Sequence, residues 1–154
     1  MREIRPAGPV IATVSIPGSK SYTHRLLVAS TLSDGPCRLT NALKSEDTEF
    51  TIEGLRRMGV RISPTGGDRS GCADLIVHGT AGKLSPSGGI DMGNCGTGIR
   101  LLTAVSALAS GTTILTGSER MRQRPISDLL DGLRQMGVSA RSLSGTGCPP
   151  VEVA

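Results

Sequence analysis

Two stretches of this chain repeat one another in order, and that repetition restricts the fold more than any other feature. Gly18-Ser19-Lys20-Ser21-Tyr22-Thr23-His24-Arg25-Leu26-Leu27 aligns with Gly93-Asn94-Cys95-Gly96-Thr97-Gly98-Ile99-Arg100-Leu101-Leu102, with Arg25 and Arg100 standing 75 positions apart. Gly35 then matches Gly111, and Leu39-Thr40 matches Leu115-Thr116, at an offset of 76. Leu55-Arg56-Arg57-Met58-Gly59-Val60 matches Leu133-Arg134-Gln135-Met136-Gly137-Val138 at an offset of 78. Landmarks kept in order with a slowly drifting offset describe two copies of one supersecondary unit whose loops absorb the insertions.

Each copy carries the same series of local signals. A strand (Thr13 to Ile16; around Ile90 to Met92) leads into a glycine loop. The loop opens an aliphatic helix, Ser21 to Leu32 in one copy and Thr97 to Ala109 in the other. A Ser/Gly turn and a strand follow (Cys37 to Leu39; Thr113 to Leu115). The next helix is capped by Ser45 or Asp47 and runs to Met58 in copy one. In copy two Pro125 stands at its start, where a missing N–H costs nothing, and it ends at Met136. Gly59 and Gly137 are placed to terminate these helices with φ > 0. Further strands are expected at Val60 to Ile62, Asp74 to Val77 and Val138 to Ser142. Ser63 to Gly71 and Ser85 to Gly89 are expected as surface connections. The second copy stops as its last strand begins near Val151, so the 154 residues are expected to be a piece of a longer repeat.

Composition narrows the function classes. The chain holds a single tyrosine and a single phenylalanine, Tyr22 and Phe50, and no tryptophan. The core must therefore be aliphatic, and the aromatic platforms on which nucleobases stack are missing. Seventeen basic and thirteen acidic residues give +4 without a run of like charge, which suits small anions better than a nucleic acid. Cys37, Cys72, Cys95 and Cys148 show no CxxC spacing and no histidine cluster for a metal, so a reduced, cytoplasmic protein without metal or cofactor is expected. No apolar leader and no apolar run of about 18 residues is present, so no membrane association is expected.

The chemistry concentrates in three places. A helix start exposes unpaired N–H groups and a partial positive charge, and glycines let a ligand approach the backbone. Gly18-Ser19-Lys20-Ser21 adds an ammonium and two hydroxyls there, with Arg25 one turn further along the same face. Gly93-Asn94-Cys95-Gly96-Thr97 adds an amide and a hydroxyl, with Arg100 beyond. Arg120-Met121-Arg122-Gln123-Arg124-Pro125 holds three alternate arginines, and Pro125 biases Arg124 toward an extended backbone. Taken singly, each also suits a capped helix start or a solvated turn. The Gly-x-x-x-x-Gly-Lys-Ser/Thr pattern of nucleotide-binding loops is absent. His24 is expected on a helix surface, Glu46 and Asp47 as cap residues, and Cys95 as a buried filler, though a helix N-terminus could lower its thiol pKa.

Together these three motifs resemble the signatures of the 5-enolpyruvylshikimate-3-phosphate synthases (3-phosphoshikimate 1-carboxyvinyltransferases), from about Val10 to the end of the chain and over roughly the first third of such an enzyme. The resemblance implies an α/β fold of repeated βαβαββ units, the enolpyruvyl transferase fold, here as a partial first domain. Residues 13–154 would form two repeat units, about 13–88 and 89–154. Residues 1–12 would join the second domain, and the rest of the enzyme would lie beyond the chain. The sister UDP-N-acetylglucosamine enolpyruvyl transferases would be expected to carry Lys-Asn where this chain has Lys20-Ser21. A phosphate-binding module without catalysis is the other alternative.

The resemblance further implies transfer of the carboxyvinyl group of phosphoenolpyruvate to the 5-hydroxyl of shikimate 3-phosphate, with release of phosphate. Lys20 is the implied catalytic residue and would touch both substrates. Ser21 and Arg25 would join it on shikimate 3-phosphate. Asn94, Gly96, Thr97 and Arg124 would line the phosphoenolpyruvate site, where glyphosate binds in the family, and Arg100 would support that wall. The partners would be these two anions alone, with no nucleic acid or membrane, and the full enzyme would be monomeric. Leu101 and Cys95 depart from the family pattern, which often has proline and alanine there. The family's remaining catalytic groups lie downstream, so the 154 residues alone are expected to be inactive.

Overall fold

The computed structural model describes residues 8–69 and 71–154, so residues 1–7 of the expected second-domain segment lie outside the described residues. Two sheets, each covered by helices, reproduce the repeat. The first copy comprises α1 (Lys20–Leu32), β1 (Pro36–Leu43), α2 (Glu46–Arg57), β2 (Arg61–Arg69) and β3 (Cys72–His78). The second comprises β4 (Ile90–Asp91), α3 (Gly96–Ser106), β5 (Thr113–Thr116), a short 3₁₀ turn (Met121–Gln123), α4 (Ser127–Gln135), β6 (Ala140–Ser142) and β7 (Val151–Val153). Strand order is β1-β3-β2 in one sheet and β4-β5-β7-β6 in the other. The β1, β3, β2 series and the β5, β7, β6 series therefore correspond strand for strand, antiparallel throughout.

The repeat extends to individual hydrogen bonds. After α2, Gly59 adopts φ 89°; its N–H donates to the Arg56 carbonyl and that of Val60 to Leu55. After α4, Gly137 adopts φ 85°, with the same bonds to Arg134 and from Val138 to Leu133. This is the Schellman ending, and it needs a residue that tolerates the left-handed region. Arg56 then donates to the Ile62 carbonyl at 2.8 Å, and Arg134 to the Ala140 carbonyl at 2.8 Å. Each arginine thus ties its helix end to the strand that follows.

The helices start by different means. Ser45 caps α2 in a reciprocal box with Thr48, three acids occupy the first turn and Arg56 and Arg57 the last, in the sense that the helix dipole favours. Pro125 does not open α4; the N-cap is Ile126, which lacks a side-chain bond to the helix and instead donates its N–H to the Gly147 carbonyl. One continuous aliphatic core joins the copies, with Leu55, Met58, Ile90, Met92, Ile99, Leu102 and Leu115 fully buried. Gly54 makes the junction possible: a Cβ there would run into Leu102, with Ile90 Cγ2 3.2 Å away.

Two expected features of the first copy differ. No strand forms at residues 13–16; Val14 and Ile16 are 74% and 80% exposed, whereas Ile90 at the equivalent point is fully buried and pairs parallel with β5. An apolar segment acquires strand geometry only where a neighbour supplies both backbone bonds and cover. Residues 63–69, expected as a surface connection, continue β2 instead: Ser63 pairs with Ile76 and Pro64 with Leu75, with register shifts around Gly66. Bulges of this kind accommodate proline and glycine within a ladder.

Candidate functional site

The two glycine loops end at the N-termini of α1 and α3, beside the N-terminal turns of α2. Ser19 caps α1, accepting from the Tyr22 N–H. Gly18 packs so closely on β1 that a Cβ would collide with the Asn41 carbonyl. The next residue in the helix, Lys20, extends to Asp47 of α2, Nζ to Oδ2 at 2.8 Å. That carboxylate raises the lysine pKa, chiefly through the hydrogen bond and then through charge attraction. Ser21 and Arg25 lie on exposed turns of α1. Asp47 is therefore a partner of Lys20, while the cap of α2 is Ser45. Nothing in the local sequence joins Lys20 to Asp47, 27 residues away.

At the second loop, Gly93 adopts φ 51°, and a Cβ there would strike the Phe50 ring. Its N–H is held by the Asp91 carboxylate at 2.8 Å. Asn94 and Thr97 are exposed. Cys95 is fully buried, and its Sγ caps α3 by accepting from the Gly98 N–H. Burial pushes the Cys95 thiol pKa up, outweighing the Gly98 and Thr51 hydrogen bonds and the Lys20 charge that favour the thiolate.

Arg124 and Arg100 close this loop from the other side. Arg124 has the extended backbone expected before proline, φ −92° and ψ 123°. Its guanidinium lies over Gly96, where an added Cβ would stand 2.6 Å from Cζ. Arg100 donates to the Gly96 carbonyl at 3.1 Å and to the Pro125 carbonyl at 2.7 Å, bracing Arg124 against the loop. Of the other two arginines in the motif, Arg122 donates to the Gly117 carbonyl at 3.1 Å and Arg120 is exposed. The structure thus brings Gly96, Arg100 and Arg124 together, and places Lys20 beside the same region through Asp47.

His24 departs from expectation. It is fully buried, its Nδ1 2.9 Å from the Thr51 hydroxyl. Burial pushes its pKa below the usual imidazole value. The buried face of α1 is polar, formed by Thr23, His24, Leu27, Ser30 and Thr31, so a search for apolar spacing misplaces this histidine. Thr23 and Thr31 satisfy their hydroxyls on carbonyls four residues back. Donor atoms of His24, Asp47 and Cys95 lie within 4.8 Å of one another, so both loops converge on one small polar cluster between α1, α2 and α3. No helix among the described residues is long and apolar enough to cross a membrane.

Comparison with known proteins identifies the arrangement. The family model described as EPSP synthase (3-phosphoshikimate 1-carboxyvinyltransferase) matches residues 4–154. The 3-phosphoshikimate 1-carboxyvinyltransferase of Rhizobium etli is 41% identical over 150 residues, 97% of this chain and 34% of the relative. That of Methanospirillum hungatei is 41% identical over 147 residues, covering 95% and 33%. The solved EPSP synthase of Acinetobacter baumannii superposes with a TM-score of 0.80 at 30% identity, over 92% of this chain and 31% of that one. The chain spans about a third of the length of the curated relatives it matches, with the mixed α/β repeat of the enolpyruvyl transferase fold, and it belongs to the EPSP synthase family.

Proposed function

We propose that this chain forms part of the substrate-binding wall of an enzyme that transfers the carboxyvinyl group of phosphoenolpyruvate to the 5-hydroxyl of shikimate 3-phosphate and releases phosphate. The carrying observation is the Arg124 guanidinium lying against Gly96 at the N-terminus of α3, braced by Arg100. Charge and backbone N–H groups there converge on a space that only a glycine leaves open. Both substrates are anionic, so donors fixed before they arrive lose little on reorganisation and stabilise charge that develops during transfer.

In this reading Lys20 contacts both substrates, and Asp47 holds its ammonium in place between turnovers. Ser21 and Arg25 receive the phosphate of the acceptor. Asn94, Gly96, Thr97 and Arg124 receive the donor, while Arg100 acts through the position of Arg124. The two units, about 13–88 and 89–154, belong to one partial domain. Residues 1–12 pair with the enzyme's second domain. Val10 and Ile11, both well exposed, are consistent with a partner supplied from elsewhere. The enzyme works in the cytoplasm as a monomer, without cofactor, nucleic acid or membrane. The 154 residues alone bind but do not turn over, because no carboxylate among the described residues is assigned to move a proton at the vinyl carbon.

Calorimetric titration with shikimate 3-phosphate and then phosphoenolpyruvate tests the assignment. Lys20→Ala is expected to weaken both and Arg124→Ala the donor alone. Unchanged donor affinity in Arg124→Ala overturns it.

A further inference from the structure

The polar cluster between the helices brings an imidazole, a carboxylate and a thiol together around an imidazole nitrogen that has no hydrogen-bond partner. His24 and Cys95 are fully buried, and Asp47 reaches them from the first turn of α2. Donor atoms of the three lie within 4.8 Å of one another. They come from α1, α2 and the N-cap of α3, at positions 24, 47 and 95, which is why no ligand spacing marks them in the sequence. His24 Nδ1 faces the Thr51 hydroxyl at 2.9 Å, and that hydroxyl also lies 3.3 Å from the Asp47 carbonyl, to which it donates. In the tautomer that matches this direction, Nδ1–H donates to Thr51 and Nε2 carries the unprotonated lone pair. This Nε2 is buried without a hydrogen-bond partner. A buried polar nitrogen left in that state calls for a ligand.

We infer that His24, Asp47 and Cys95 form a binding site for a soft divalent cation of the Zn²⁺ class. Imidazole, carboxylate and thiolate are the donors such an ion takes together. Bonds of about 2.0–2.3 Å to nitrogen, oxygen and sulfur set tetrahedral ligand separations of about 3.5 Å, so the three side chains draw together by about 1 Å on binding. The Thr51 hydroxyl then serves as the outer partner that fixes the histidine tautomer, the usual arrangement for a metal-bound imidazole. Coordination exchanges the Cys95 S–H proton for the metal, one proton passing to solvent. The ion also competes with Lys20 for the Asp47 carboxylate, now engaged at 2.8 Å. Occupation releases the lysine, which makes the site a brake on the Lys20 position. The site stands on these side chains and does not depend on the substrates assigned above.

Titration of the protein with Cd²⁺, followed through the ultraviolet charge-transfer absorption of a cadmium–thiolate bond, tests the inference. One equivalent is expected to develop the band. Cys95→Ala abolishes this equivalent, Asp47→Asn weakens it at least about tenfold, and Cys37→Ser and Cys148→Ser leave it intact. Lys20→Ala, which removes the competing cation, is expected to tighten it. Melting curves of each variant establish that it is folded. X-ray absorption of the wild-type zinc adduct, which needs no variant, is expected to show one sulfur with nitrogen and oxygen neighbours. A band that survives Cys95→Ala, affinity unmoved by Asp47→Asn and Lys20→Ala, or an adduct without sulfur overturns the site.

Discussion

Gly96→Ala separates stability from donor recognition more cleanly than any other change at the α3 loop. An alanine Cβ would sit 2.6 Å from Arg124 Cζ and 2.5 Å from one of its terminal nitrogens. Carbon atoms rest at about 3.5–4.0 Å, so the guanidinium must retreat by about 1 Å. The obstacle is the end of a flexible side chain, and at the first position of α3 the helix preference for alanine over glycine stays below the interior value of about 1 kcal/mol. Stability is therefore expected to stay level or rise slightly. Donor affinity is expected to fall. A charge-assisted hydrogen bond contributes about 1.5–3 kcal/mol, so its misalignment weakens phosphoenolpyruvate binding by about 10- to 100-fold. Calorimetry with acceptor present reads the affinity, and a thermal melt reads the fold. Donor affinity unchanged in a variant with unchanged melting would refute the placement of Arg124 as the clamp.

Three further outcomes follow from the packing and the titrating groups. Asp47→Asn removes the partner that raises the Lys20 pKa, so the lysine is expected to lose its proton at lower pH than in the wild type, as read by side-chain NMR titration. His24 has a folded pKa below its unfolded value. As pH falls below about 6.5, the unfolded chain takes up a proton that the folded chain refuses, and stability drops. Urea melts at about pH 7.5 and about pH 5 should show this loss, and His24→Gln should flatten it; an identical slope in both proteins would remove His24 as its source. Gly54→Ala forces a methyl toward Leu102, Ile90 and Met92 at the junction of the copies, and overpacking of this kind costs about 1–3 kcal/mol, measurable as a lower urea midpoint without change in slope.

Much of the fold was legible because the repeat is written in residues with strong local demands. The glycines after α2 and α4, the arginines at positions 56 and 134 and the glycine loops each impose a conformation or bond that recurs at its offset. The Arg124 backbone was legible for the same reason, since Pro125 restricts it directly. Contacts across the sheet and between helices were not. Ile90 finds β5 and becomes a strand, whereas the equally apolar residues 13–16 find no pairing strand and do not. The β2–β3 ladder overrides the loop propensity of Pro64 and Gly66. At the site, the glycine and arginine motifs announced themselves, but Asp47 and Thr51 did not. Their importance lies in partners 27 and 44 residues away, and no local pattern encodes such distances.

The double grip of Arg100 on the Gly96 carbonyl and on the Pro125 carbonyl, the latter 25 residues along the chain from Arg100, has a consequence for how this site can vary. It works as a cross-brace that sets the span between the glycine loop and the clamp alongside the Ser118 N–H, which donates to the Gly93 carbonyl at 2.8 Å. The exposed turn before β5, around residues 107–112, can therefore lengthen, shorten or change composition while that span stays fixed. Buried Gly117 after β5, by contrast, has no room for a Cβ against Gly93 and Met121. Substitution of Arg100 would remove this insulation, and the recognition geometry would then inherit every change made in the intervening loops.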